Sequence, residues 1–172
     1  TRWLDMGVQG VMAPHVETGE QASAIVEACY FPPKGLRSWG THRGTLYNDD
    51  AEVNERFSSR RSFMTFADEN MWVYAQVESK KGFENLDGIL AVDGIDAIAY
   101  GPFDLAISLG QPGEGVGHPE VDRVQEEIET RTRAAGKRLM TDSVAIFGMR
   151  DVLARSARRF VQDHRNDSFP EK

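Results

Sequence analysis

Short apolar runs alternate with helical stripes along most of this chain. Gly10 to Ala13 is an apolar run closed by Pro14, and behind it Ala22, Ile25, Val26 and Cys29 recur at helical spacing within Glu17 to Tyr30. The pattern predicts a strand and then a helix, which Pro32-Pro33-Lys34-Gly35 stops. Gly35 to Ser62 is polar and rich in Gly, Asn, Asp, Arg and Ser, and a stretch of that length reads as a functional loop rather than a linker. Phe63 to Glu69 adds a helical turn before Trp72 to Val77, whose β-branched and aromatic residues suit a buried strand. Ser79 to Asp96 reads as one helix, with Phe83, Leu86, Ile89 and Leu90 as its apolar stripe, and a turn into the strand Ala97 to Tyr100. Gly110 to Gly117 is a glycine-rich loop, Pro119 is placed to start a helix with Val121, Val124 and Ile128 buried, and Gly136 stops it. Arg138 to Thr141 is a fourth strand, Ile146, Met149, Val152 and Leu153 suit a further helix, and Arg159 to Gln162 suits a fifth short strand before a polar tail.

About five strands alternating with helices specify an α/β fold with a parallel sheet, either an open doubly wound sheet or part of a (β/α)8 barrel. In both, the loops that follow the strands form the functional edge, and the long polar loop is expected to overhang it. One unit over residues 1–162 with a tail at 163–172 is the expected organisation.

With 172 residues, 40% apolar and 27% charged, the chain is long enough for one core. Its uncharged runs fall short of the roughly 18 apolar residues of a membrane span, so no membrane segment is read. A net charge of −7 argues against a general nucleic-acid surface, and Arg155, Arg158 and Arg159 read as a solvated helix face. Cys29 is the single cysteine, which excludes an intrachain disulfide and points to a reducing, cytoplasmic setting with the thiol as a packing group.

Two carboxylates change the picture. Glu78, ending Met71-Trp-Val-Tyr-Ala-Gln-Val-Glu78, and Asp104, in Gly101-Pro-Phe-Asp104, each stand where an apolar strand gives way to a loop. A single helix between the strands makes them parallel and puts both carboxylates at one end of the sheet, where a cation could bridge them. Side chains alternate along a strand, so Gln76 faces the same way as Glu78. Two carboxylates leave most of an octahedral shell open, which suits Mg²⁺ or Mn²⁺ holding water and a chelating 2-oxo acid better than a structural zinc. The competing reading is that each carboxylate caps the helix that follows it.

The segments LDMGVQGVMAPHVET, YFPPKGLRSWG, VYAQVESKKGFENLDGILAVDGIDAIAYGPFDLAISLG, GHPEV and RAAGKRL, in this order, resemble the HpcH/HpaI family of metal-dependent class II pyruvate aldolases, up to about Val161. The resemblance implies a (β/α)8 barrel in which Mg²⁺ or Mn²⁺ on Glu78 and Asp104 holds a 2-oxo acid. It implies that Gln76 and the backbone at Phe103 and Asp104 contact that substrate, and that Asp5 is the acid that supports a catalytic histidine. The activity implied is the making or breaking of a carbon–carbon bond next to pyruvate, with an aldehyde as partner and 4-hydroxy-2-oxo acids as the joined form. It further implies that the chain begins just before the fourth barrel strand, that the family's general-base histidine and enolate-stabilising arginine are absent from it, and that homo-oligomers form in the whole protein. Two alternatives follow: a non-catalytic truncated homologue that binds metal and oxyacid or a full-length subunit, and an acyl-CoA lyase of the same superfamily.

His15 follows Pro14 at a strand end and could serve as a base, but a loop histidine is the simpler reading. His42, beside Arg43 in the long loop, is a weaker substrate-binding candidate, His118 reads as a helix-start residue, and His164 lies in the tail. Asp142 could line the same mouth or cap a helix. The glycines from Gly110 to Gly117 lack the Lys-Ser or Lys-Thr of a phosphate-binding loop and read as a lid, and Trp3, Trp39 and Trp72 read as packing residues.

Overall fold

The computed structural model describes residues 2–143, 149–163 and 165, with the backbone alone for 149–152. The chain divides into two compact units, Thr1–Met140 and Thr141–Lys172.

In the first unit, helix α1 (Arg2–Asp5) leads into β1 (Gly10–Ala13) and α2 (Gly19–Cys29). After a long irregular segment come α3 (Asp50–Phe57), α4 (Arg60–Glu69) and β2 (Trp72–Val77). Two short helices, α5 (Lys80–Glu84) and α6 (Leu86–Leu90), lead to β3 (Ala97–Tyr100), then α7 (Pro102–Ser108), α8 (Pro119–Ala134) and β4 (Arg138–Leu139). The strands form one parallel sheet in the order β1-β2-β3-β4. Sequential order in a parallel sheet is what right-handed crossovers through helices on one face produce.

The helices cover one face of this sheet. Val73, Ala75 and Val77 of β2 and Ile98 of β3 are fully buried, together with Ala22 of α2, Leu86 and Ile89 of α6, and Val121, Val124 and Ile128 of α8. Removing these apolar side chains from water is the main term holding the layers together. On the opposite face Met12 is half exposed and Trp72, Tyr74 and Gln76 are partly exposed, giving β2 a strict alternation. Trp72 stacks on Tyr74, with centroids 5.9 Å apart, and the Arg138 guanidinium lies over the Trp72 ring.

Three expectations need correction. The region Ser79 to Asp96 holds two helices rather than one, because Asn85 turns its amide onto the carbonyls of Lys81 and Glu17 and ends α5 there. The polar stretch from Gly35 to Ser62 is not an open loop over the functional edge. It contains a 3-10 segment (Arg43–Asn48) and α3, capped by Asp49. It packs at the other end of the sheet, since α2 returns the chain to where strands begin: Leu36 and Arg37 donate to carbonyls of α2 and Tyr30, and Gly44 abuts the backbone of Leu4. There Trp39 joins Phe31, Phe57, Phe63 and Phe66 in an aromatic cluster, the packing role expected of it, whereas Trp3 is exposed. Arg37 is buried beneath this cluster, and burial lowers its pKa.

The third correction concerns the strand count. The described residues contain four strands, not about five, and β4 stops at Leu139 as the chain enters a 3-10 turn, Met140–Asp142. In the second unit Arg159 to Gln162 lie within helix α9 (Met149–Asp163), where Arg159 pairs with Asp163 one turn on at 3.7 Å. Phe160 and Val161 favour strands locally, but the Arg- and Ala-containing run before them, Leu153 to Arg159, carries the helix through them. Ile146, His164 and most of the expected tail lie outside the described residues.

Candidate functional site

The carboxyl ends of β1, β2 and β3 share one edge because the strands are parallel. Three side chains meet there: His15, two residues beyond β1, Glu78, one beyond β2, and Asp104, in the first turn of α7 after β3. Each offers a ligand-type atom, and these atoms lie within 4.8 Å of one another.

Glu78 is the centre of this arrangement and is only 4% exposed. Its Oε1 accepts the His15 backbone N–H at 2.9 Å and lies 3.4 Å from His15 Nδ1. Its Oε2 accepts from the Gln76 amide at 2.5 Å, so the strand alternation that aligned Gln76 with Glu78 does join them. The capping alternative fails for Glu78, because the cap of α5 is Ser79, whose Oγ accepts from Gly82 N at 3.0 Å. Glu78 therefore bonds across the sheet edge and not down a helix axis. Asp104 is exposed, and its place in the first turn of α7 also suits the helix dipole.

The edge is held from beneath by Glu17. Its carboxylate accepts Lys81 Nζ at 3.0 Å and Ser79 Oγ at 2.8 Å, and its carbonyl accepts the Asn85 amide. The bond from Lys81, and then the one from Ser79, holds the Glu17 pKa below its ordinary value. These contacts tie the loop that carries His15 to the loop that carries Glu78.

Phe103 is 67% exposed, and its ring lies against Gly115, so the glycine-rich loop reaches the same edge. At the end of β3, Tyr100 donates to Glu129 at 2.7 Å, and burial, with that bond, pushes its pKa up to about 12. His118 stands at the cap position of α8 as expected, with its Nδ1 buried and without a partner among the described residues.

Asp5 does not join this group. It ends α1, ahead of β1, and its Oδ1 lies 3.1 Å from His42 Nε2 at the amino-terminal edge. Gly7, Arg43 and Met71 line a cavity at that edge, on the side where β1 and β2 begin. Asp142 lies in the 3-10 turn after β4. Cys29 is buried, and burial raises its thiol pKa, in keeping with a packing group.

A family model described as HpcH/HpaI aldolase/citrate lyase matches residues 1–162. The chain belongs to this family. A 2-keto-3-deoxy-L-rhamnonate aldolase of Salmonella paratyphi B is 42% identical over 134 residues, which are 78% of this chain and 47% of that relative. The chain thus spans about half the length of the curated relatives it matches. Among solved structures, an HpcH/HpaI aldolase/citrate lyase family protein from Burkholderia cenocepacia is 27% identical, with a TM-score of 0.72 over 96% of this chain and 68% of its own. The citrate synthase SbnG is 28% identical, with a TM-score of 0.67 over 91% of this chain and 55% of its own. Aldolase and lyase chemistry is therefore the family's class.

His15 reads from the sequence as a loop histidine, and the structure sets it beside Glu78 and Asp104. The rule that placed Glu78 and Asp104 on one edge, that residues just after parallel strands converge, applies equally to a histidine two residues beyond β1.

Proposed function

We propose that this chain carries the cation- and substrate-holding edge of a divalent-metal-dependent aldolase or lyase acting next to pyruvate, on 2-oxo acids and 4-hydroxy-2-oxo acids. The observation that carries the reading is the meeting of buried Glu78 with Asp104 and Gln76 at the carboxyl edge of the sheet, in a member of this family.

The donors are carboxylate oxygens with an imidazole and no thiolate, a set that fits Mg²⁺ or Mn²⁺ and not a structural zinc site. Glu78 and Asp104 would be the cation's protein ligands. Each Glu78 oxygen accepts one hydrogen bond and retains a second lone pair for a cation. A bound cation supplies Lewis-acid polarisation of the 2-oxo carbonyl, which eases removal of a proton from the neighbouring carbon. Gln76 orients Glu78 and reaches toward the pyruvyl group. The backbone at Phe103 and Asp104 holds the acid, and the exposed Phe103 ring beside Gly115 shields it from water. Asp5, as a supporting acid, acts on an imidazole; within the described residues that imidazole is His42 at the opposite edge, so we assign Asp5 no contact with the 2-oxo acid.

We also propose that the sheet is part of a (β/α)8 barrel. Parallel sheets are normally covered on both faces, and the Met12, Trp72, Tyr74 and Gln76 face, uncovered among the described residues, is the one a barrel would turn inward.

The test is calorimetric titration with MnCl₂. Glu78→Ala and Asp104→Ala are each expected to weaken binding by about a hundredfold or more, beyond the ten- to hundredfold typical of losing an indirect partner of a metal ligand. Unchanged affinity in both variants would remove the assignment.

A further inference from the structure

We infer that His15 is a third protein ligand of the cation held by Glu78 and Asp104; the inference rests on the proposed metal site and adds to it a nitrogen donor.

The geometry carries the inference. Adjacent ligand atoms around an octahedral ion with bonds near 2.1 Å are about 3.0 Å apart, and opposite ones about 4.2 Å. His15 Nδ1 stands 3.4 Å from Glu78 Oε1, the separation of neighbouring ligands to within a few tenths of an ångström. All three ligand-type atoms lie within 4.8 Å of one another, a few tenths of an ångström beyond the separation of opposite ligands, and the Asp104 side chain is exposed. His15 is also held in place by its own backbone, because its N–H donates to the carboxylate that its ring faces. The residue sits at φ 51, in the left-handed region that non-glycine residues enter infrequently and that histidine, asparagine and aspartate tolerate better than most. That turn directs the chain so that backbone and ring address Glu78 together.

An ion pair between imidazolium and Glu78 is the competing account. The His15 side chain is 62% exposed, and a pair so open to water is weakly held. A cation shared with Asp104 gives the same three groups a common partner and relieves the approach of the two carboxylates.

Three protein ligands leave three positions of six, enough for a chelating 2-oxo acid and one water. A nitrogen donor also changes which ion is preferred. Carboxylate and water suit Mg²⁺ and Mn²⁺ alike, whereas imidazole strengthens binding toward later first-row ions. The site should therefore favour Mn²⁺ and Co²⁺ over Mg²⁺ by more than two carboxylates would.

The test is pulsed electron paramagnetic resonance of the Mn²⁺-loaded protein, compared with His15→Asn, whose side chain tolerates the same backbone turn; circular dichroism checks that the variant folds. We expect ¹⁴N modulation from a directly bound imidazole in the wild type and its loss in His15→Asn. Affinity for Mn²⁺ and Co²⁺ should fall about tenfold or more in the variant, and affinity for Mg²⁺ by less. Mn²⁺ that binds in a manner dependent on Glu78 and Asp104 but shows no ¹⁴N modulation overturns the role of His15 and leaves the proposed function intact. Modulation that persists in His15→Asn assigns the nitrogen elsewhere and overturns it too. Failure of the wild type to bind Mn²⁺ overturns both readings.

Discussion

Gly101 shows how tightly the site is drawn at the level of single residues. A methyl group there would collide with Glu78 Oε2 and stand 3.0 Å from Gln76 Nε2, although the backbone itself, at φ −111, is open to any residue. The change Gly101→Ala therefore presses on the carboxylate without straining the chain. We expect at least about tenfold weaker Mn²⁺ binding, the scale of disturbing a ligand's immediate support, with a near-native circular dichroism spectrum. Glycine is required here by the approach of a side chain, and nothing in the residue's own sequence neighbourhood announces that. That Glu78 and Asp104 would share one end of the sheet was legible, by contrast, because residues just after neighbouring parallel strands converge there.

Among the elements, the clamp made by Glu17 between α2 and α5 sets a pH dependence. Its pKa is depressed below the ordinary 4.5 by Lys81 and Ser79, so the charged form is favoured by folding. The stability it contributes is present above pH 4.5 and disappears as pH falls through the lower folded value. Thermal unfolding at a series of pH values should show wild type ahead of Glu17→Gln near neutrality, with the gap closing under acid conditions. Deeper in the sheet, Ile98 of β3 is fully buried against the helical layer, and Ile98→Ala should cost about 2–5 kcal/mol in urea unfolding.

The strands β1, β2 and β3 were readable to the residue, since each is a compact, uncharged and largely apolar run, with β-branched and aromatic residues marking β2 and Pro14 closing β1. What escaped the sequence were interactions made at a distance. Asn85 looks like an ordinary helical residue until its amide meets Glu17, and the stretch from Gly35 to Ser62 looks like a loop until its aromatic residues find Phe31. Asp49 and Ser59, residue types that favour helix starts, stand in that stretch and cap α3 and α4. The edge it packs against was decidable too, because a segment that follows a helix returns to the strand starts.

For the whole molecule, one face of the sheet is buried under helices and the other presents Met12, Trp72 and Tyr74 with partial exposure among the described residues. Among the described residues no helix is long and apolar enough to cross a membrane. A barrel closing over it would bring Gln76 and Glu78 to the rim of an enclosed interior, where a low dielectric strengthens every polar contact with a charged substrate. The two ends of the sheet then divide the work. The carboxyl edge gathers His15, Glu78 and Asp104, while the amino edge is consolidated by the aromatic cluster and the Asp5–His42 pair.

On the reading proposed here, this carboxyl edge holds a divalent cation together with a 2-oxo acid. Anomalous diffraction from crystals soaked in Mn²⁺ and pyruvate would locate both at once. A single strong Mn²⁺ peak is expected about 2.0–2.2 Å from carboxylate oxygens of both Glu78 and Asp104, with pyruvate chelating the same ion. A peak elsewhere, or none at this edge under saturating Mn²⁺, would contradict it.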